Sequence, residues 1–469
     1  MEKHVEDTVA GGTWIFLGNL IVSLTGFVFW VVVAKLVGAE SIGMASMVVS
    51  SASIAATLTS AGMNLAVIRE FAAKGHQVFT STLLLAVLAG CLASSISLPL
   101  IGGLGYSHLA VHTLLLAFLT VISVPLTSSL IGLERFREYF TAVAVGSIAK
   151  LSMGVALALL GLGFLAPLIG YIAYPLTASI TALAILTTLT GMRLAYPSRE
   201  DLKSLTVLTL SNYPYMISNQ LLTMLSVYIF AYLVREAAST GILYISMMIA
   251  LAITAIPNSL LSAALPIGTR RNSEPFADSL RIGLALATPF IVVAIAAPKT
   301  ILTLINPELV EGADTLRILM LSIAPLAALT ASITKLNKEK NTKMLTVVGV
   351  ARLTLLTALL VPLARTLGTV GTAIAFLAAN TLIMPIALRH LPNTGRTMAT
   401  LWTLHIATAT LLYLIPINEV VAAVTAIALS VAVMHLTKTI TINELRNTLK
   451  TAVNTLLQHH RETPTPKHP

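Results

Sequence analysis

Uninterrupted apolar runs of about 18–27 residues recur along the whole chain, each long enough for a helix to cross a hydrocarbon core of ~30 Å. Lipid supplies no water to satisfy backbone N–H and C=O groups, so a segment that spans it must be a helix or part of a closed barrel. Barrel strands alternate apolar and polar residues over about ten positions, whereas these runs are continuous, which selects helices. Charge points the same way. Only 10% of the 469 residues are Asp, Glu, Lys or Arg, against about 25% in soluble domains. Such a chain cannot clothe a water-facing surface. It reads as an all-α, multi-pass membrane protein.

About fourteen spans can be counted on this length criterion. They begin near Thr13, Ile42, Phe79, His108, Tyr139, Phe164, Ser211, Thr240, Ser279, Thr315, Lys343, Thr369, Met398 and Glu419. Internal prolines (Pro125, Pro175, Pro257, Pro325, Pro385) predict kinks that neighbouring helices can accommodate. No small-residue processing site follows the first run, which is therefore read as a retained span. The formal net charge is +10, but the basic residues lie in short loops between spans, not on one face of a soluble domain, so nucleic acid is not an expected partner. Of the 29 Lys and Arg residues, 22 fall in the segments sharing a side with the N-terminus. Only Lys35, Arg235, Lys299, Arg317 and Arg365 fall on the other side. The positive-inside rule then makes both termini cytoplasmic in a cell membrane. The lone cysteine, Cys91, excludes a disulfide framework and is expected to pack as a small buried hydrophobe.

A degenerate repeat divides the chain. Ala34-Lys35-Leu36-Val37 followed by Gly43 is echoed by Ala231-Tyr232-Leu233-Val234 followed by Gly241. Ala149-Lys150-Leu151 is echoed by Ala351-Arg352-Leu353, and Gly161 and Gly163 by Gly368 and Gly371. The offsets run from 197 to 208 residues and join elements of like orientation. This is a parallel repeat of six-helix units, an architecture of transporters with the substrate site between the halves. The expected organisation is an N-terminal six-helix lobe (1–190), a cytoplasmic linker (191–204), a second six-helix lobe (205–390) and two extra helices (391–438). A cytoplasmic tail (439–469) opens with a Thr441-x-x-Glu444 capping box and an amphipathic pattern suited to anionic membrane lipids, and ends in a low-complexity stretch.

Acids are informative by their absence. None of the 19 Asp and Glu residues sits deep in a span. Intramembrane proton and Na⁺ sites generally use a carboxylate, and a cavity for cationic drugs would be anionic by complementarity. Two cations do lie deep: Lys150 about 16 Å and Arg352 about 13 Å into their spans, at 1.5 Å per residue. A charge there costs ~3 kcal/mol or more. With no intramembrane acid to pair with, the expected counter-ion is a substrate phosphate or pyrophosphate; backbone carbonyls are the plainer alternative. Arg69, and Arg270 with Arg271, close spans two and eight and could rim a cytoplasmic mouth, although each is also an ordinary positive-inside signal. Asn19, Asn219, Gln220, Asn258 and Asn380 read chiefly as bridges between helices. His112, His405 and His435 lack metal-ligand spacing. There is no Walker-type phosphate loop and no H-E-x-x-H, so neither ATP bound to this chain nor a cofactor or metal is expected.

The stretches from Ala34 to Gly43 and from Ser60 to Arg69 resemble the opening of polysaccharide (lipid-linked oligosaccharide) flippases, members of the multidrug/oligosaccharidyl-lipid/polysaccharide exporter superfamily. Leu304-Ile-Asn-Pro-Glu308, Ala313 to Leu319, the basic loop from Lys335 to Lys343, and Leu367 to Ala373 are similar to that family's C-terminal pattern. The resemblance implies two six-helix lobes, a central V-shaped cavity, fourteen helices and alternating access. It also implies transfer of a lipid-linked oligosaccharide to the outer leaflet, with glycosyltransferases of the same pathway as partners and a monomeric transporter. The drug-exporting branch places an acid in its first span, and Thr13 to Leu36 has none. On this reading the chain is not an enzyme, and Lys150, Arg352, Arg69 and Arg270 are its expected substrate-binding residues. A cation-coupled multidrug antiporter and a membrane-embedded glycosyltransferase are the alternatives.

Overall fold

A computed structural model of the chain describes residues 2–188, 194–271, 275–339, 341–391, 394–414 and 417–437, together with Gly191 and Thr439. Over 2–12, 212, 214–216, 218–220, 263–271 and 413 the description is of helical backbone. The tail from residue 440, including its capping box, lies outside the described residues.

All regular structure among the described residues is helical. The first half comprises α1 (Glu2–Ser60), α2 (Met63–Lys74), α3 (Phe79–Gly103), α4 (Ala110–Gly132), α5 (Phe136–Leu159) and α6 (Leu165–Thr188). The second comprises α7 (Arg199–Val234), α8 (Ala237–Arg271), α9 (Phe276–Ala296), the short α10 (Pro298–Ile305), α11 (Ala313–Leu321), α12 (Ile323–Lys338) and α13 (Thr342–Leu388). Two more follow, α14 (Gly395–Leu414) and α15 (Glu419–Leu436).

Length shows how these make fourteen crossings. The 59 residues of α1 would measure about 88 Å, far more than one bilayer core. The helix is broken at Gly38, whose φ of 80° and ψ of 172° belong to a region open to glycine alone. Likewise the 47 residues of α13 are broken at Gly368. Each broken helix therefore crosses twice. The second leg of α1 continues into α2, α11 and α12 run on as one crossing, and α10 lies between crossings nine and ten.

Backbone conformation reproduces the repeat. Gly38 and Arg235, 197 residues apart, both have positive φ where the first helix of a lobe hands over to the second. Gly161 and Gly368 do the same after the fifth helix of each. The lobes meet where the second leg of α1 crosses α8. A Cβ on Gly43 would run into the Ala237 carbonyl, and one on Gly241 into the Ala39 carbonyl. Gly43 and Gly241 are repeat counterparts, and so are Ala39 and Ala237, so the two contacts are related as an axis between two equivalent lobes requires. The last pair, α14 and α15, packs on α9, with Ala422 and Ala426 against Val292 and Ala296.

Two expectations change. The seventh helix begins at Arg199, well before Ser211, because Ser198 caps it and Glu200 and Asp201 sit in its first turn. The last six residues of the expected linker, 199–204, are therefore helix. Cys91 is exposed on α3, not buried. In lipid an exposed thiol meets no water, so hydropathy does not distinguish the two faces of such a helix.

Candidate functional site

Lys150 lies at the seam between α5 and α6, with Gly146 one turn before it and Gly154 one turn after. A Cβ on Gly146 would come within 2.9 Å of the Tyr174 carbonyl, and one on Gly170 of α6 within 3.0 Å of the Lys150 carbonyl. Only small residues allow this approach. It brings the rings of α6 beside the amine. The Nζ atom lies 5.3 Å from the centre of the Tyr174 ring, 5.6 Å from Tyr171 and 5.8 Å from Phe29 of α1. Lys150 is 5% exposed and has no hydrogen bond or ion pair among the described residues. The negative faces of three rings stand in for an anion, each contact worth ~0.5–2 kcal/mol. The aromatic group extends toward the other lobe, since Trp30 packs on Tyr171 at 5.5 Å and on Tyr244 of α8 at 4.7 Å. Toward the N-terminal face, the Tyr139 hydroxyl donates to the Asn19 side-chain oxygen at 3.4 Å, bridging α5 to α1.

Arg352 lies on the corresponding helix of the second lobe, the first leg of α13, about one turn farther from the Gly368 break than Lys150 is from Gly161. It is 3% exposed, between the buried Val348 and Leu356 one turn to either side. Its Nε is buried without a hydrogen-bond partner, and the guanidinium has no ion pair among the described residues. No aromatic ring covers it among the described residues. Among the described residues, each lobe therefore holds one buried Lys or Arg with no protein anion beside it.

The rim arginines are placed differently. Arg69 is exposed on α2, and no contact joins it to Lys150 or Arg352 among the described residues. The nearby Lys74 is committed to Glu70 and Asp201 at 2.9 and 2.8 Å, which ties α2 to the start of α7. Arg270 falls on the α8 backbone, and its side chain lies outside the described residues, as do those of Asn219 and Gln220. Asn380 donates back to Phe376 of its own helix at 2.7 Å instead of bridging to a neighbour.

Sequence reasoning found the two cations but missed the rings around one of them. The available signal was sparse aromatic usage, 6% of the chain, with Phe29-Trp30 and the one-turn pair Tyr171 and Tyr174 in the spans that flank Lys150.

Known membrane proteins share this architecture. A structure of the lipid II flippase MurJ in an inward closed conformation superposes with a TM-score of 0.70 at 13% identity, covering 90% of this chain and 98% of that one. A multidrug resistance MATE family transporter of the MOP superfamily, inward-facing, gives 0.61 at 15% identity, covering 82% and 95%. A mutant of a Vibrio cholerae MATE transporter gives 0.53 at 15% identity, covering 85% and 98%. At such identities the likeness is one of fold. No curated protein matches the sequence. A family profile described as polysaccharide biosynthesis protein, however, matches residues 8–270, and with more than half of its length so matched the chain belongs to the polysaccharide biosynthesis protein family.

Proposed function

We propose that the chain is a flippase that carries a lipid-linked oligosaccharide, a polyisoprenyl phosphate or pyrophosphate sugar, across the cell membrane by alternating access. The termini face the cytoplasm, and pathway glycosyltransferases supply the substrate. One observation carries the reading: Lys150 and Arg352, on corresponding helices of the two lobes, are buried without any carboxylate beside them among the described residues. A cation kept at depth without a protein anion costs stability, and a negatively charged passenger between the lobes would offset that cost. The phosphate would be drawn in past Arg69 and Arg270 and held by the two deep cations, while the isoprenoid tail stays in lipid. The rings of Phe29, Tyr171 and Tyr174 would hold Lys150 between cycles without neutralising it. A cavity for cationic drugs would be anionic by complementarity, and the deep charges here are cations.

The test is transfer of a fluorescent polyisoprenyl-pyrophosphate sugar across the bilayer of proteoliposomes. The parent protein should move it without consuming a sugar donor, and the Lys150→Ala, Arg352→Ala double variant should not. Undiminished transfer by a well-folded double variant rules the reading out, and turnover of a sugar-phosphate donor would make the chain a glycosyltransferase.

A further inference from the structure

The break in α1 leaves backbone groups without helical partners, as any helix end does. At Gly38 two backbone groups beside the break are bonded from the other lobe. The Ala39 N–H donates to the Glu308 carboxylate at 2.8 Å, and the Asn306 side-chain amide donates to the Ala34 carbonyl at 3.1 Å. Asn306 also accepts from the Glu308 N–H at 3.0 Å, which sets the two side chains side by side. Both belong to the short turn between α10 and α11, in the second lobe.

The repeat provides the control. The equivalent break, at Arg235, is closed from within its own lobe. The Arg235 N–H donates to Ala231 O at 2.9 Å, the Thr240 N–H donates to Glu236 O at 3.1 Å, and the Ser239 hydroxyl donates to the Glu236 carboxylate at 2.6 Å. A cap needed only for stability can be local, as this one is. A cap borrowed from the opposite lobe is lost whenever the lobes part at this face. The Gly43 and Gly241 crossing lies just inside it, and Tyr228 of α7 donates to Leu100 O of α3 at 3.1 Å near the same end. Glu308 is exposed, so water can replace it at the Ala39 N–H and the contact can be remade.

We propose that Asn306 and Glu308 form a latch that holds the lobes together at the face opposite the N-terminus by capping both sides of the Gly38 break, and that its release accompanies opening there. The idea rests on the transport reading only in requiring lobes that separate at this face.

Spin labels at Leu160→Cys and Leu367→Cys, exposed and equivalent positions at that face, report the separation in a Cys91→Ser background. Double electron–electron resonance on the full chain in nanodiscs should give one short distance for the parent. Loss of a charge-assisted bond and its neighbour in Asn306→Ala, Glu308→Ala should raise the ratio of long to short distances about tenfold. Glu308→Gln, which keeps an uncharged acceptor and the side-chain volume, should move it the same way by less. Glu236→Ala, which removes only a side-chain bond to Ser239 within its own lobe, should leave the distances unchanged. Parent-like distances in both latch variants overturn the proposal, as does equal opening by Glu236→Ala. Because the readout is a distance, absence of sugar-lipid transfer would tell against the flippase reading and leave the latch standing.

Discussion

Replacing Arg352 by methionine should make the protein more stable while abolishing transfer. A buried arginine near the middle of a membrane helix costs about 2.5–3.5 kcal/mol on insertion scales. Arg352 is 3% exposed, with its Nε unpartnered and no ion pair among the described residues, so little in the fold offsets that cost. Methionine follows the same path along the helix and removes the charge. The space left by the guanidinium head subtracts about 1 kcal/mol. The net is a stabilisation of about 2 kcal/mol, or a rise in Tm of a few degrees for a chain of this size. Thermal melting of the purified protein in a neutral detergent, followed by tryptophan fluorescence, measures it directly. A fall in Tm of similar size would refute the reasoning. The guanidinium would then be a structural group holding α13 to its neighbours, and its burial would imply nothing about a passenger.

The same substitution at the other cation should behave differently. Lys150→Met loses three ring contacts along with the desolvated charge, two terms of similar size, so Tm should stay within about 2 °C of the parent while transfer is lost. A large fall in Tm there would make the lysine an organiser of the α5–α6 seam. Gly38→Ala should destabilise by about 1–3 kcal/mol, because its backbone conformation excludes a side chain. A Cβ at Gly38 would also stand 2.8 Å from the Glu308 carboxylate, so the same variant should lengthen the spin-label distances. Parent-like melting and distances in Gly38→Ala would show that the break is not under that constraint.

Residues on their own determined the class of fold and the number of crossings, because hydropathy over about 20 residues is a local property and a bilayer accepts only helices or closed barrels. They also determined the repeat, through matches such as Ala34 to Val37 with Ala231 to Val234, and they marked Lys150 and Arg352 by depth alone. Tertiary packing decided the rest. Whether Cys91 faces lipid or protein is invisible to hydropathy, since neither side is wet. The rings around Lys150 come from α1 and α6 and converge only because glycines let those helices close on α5. Glu308 reaches the Ala39 N–H across 269 residues of chain. No local pattern encodes a contact between lobes, because its geometry exists only once both have folded and met.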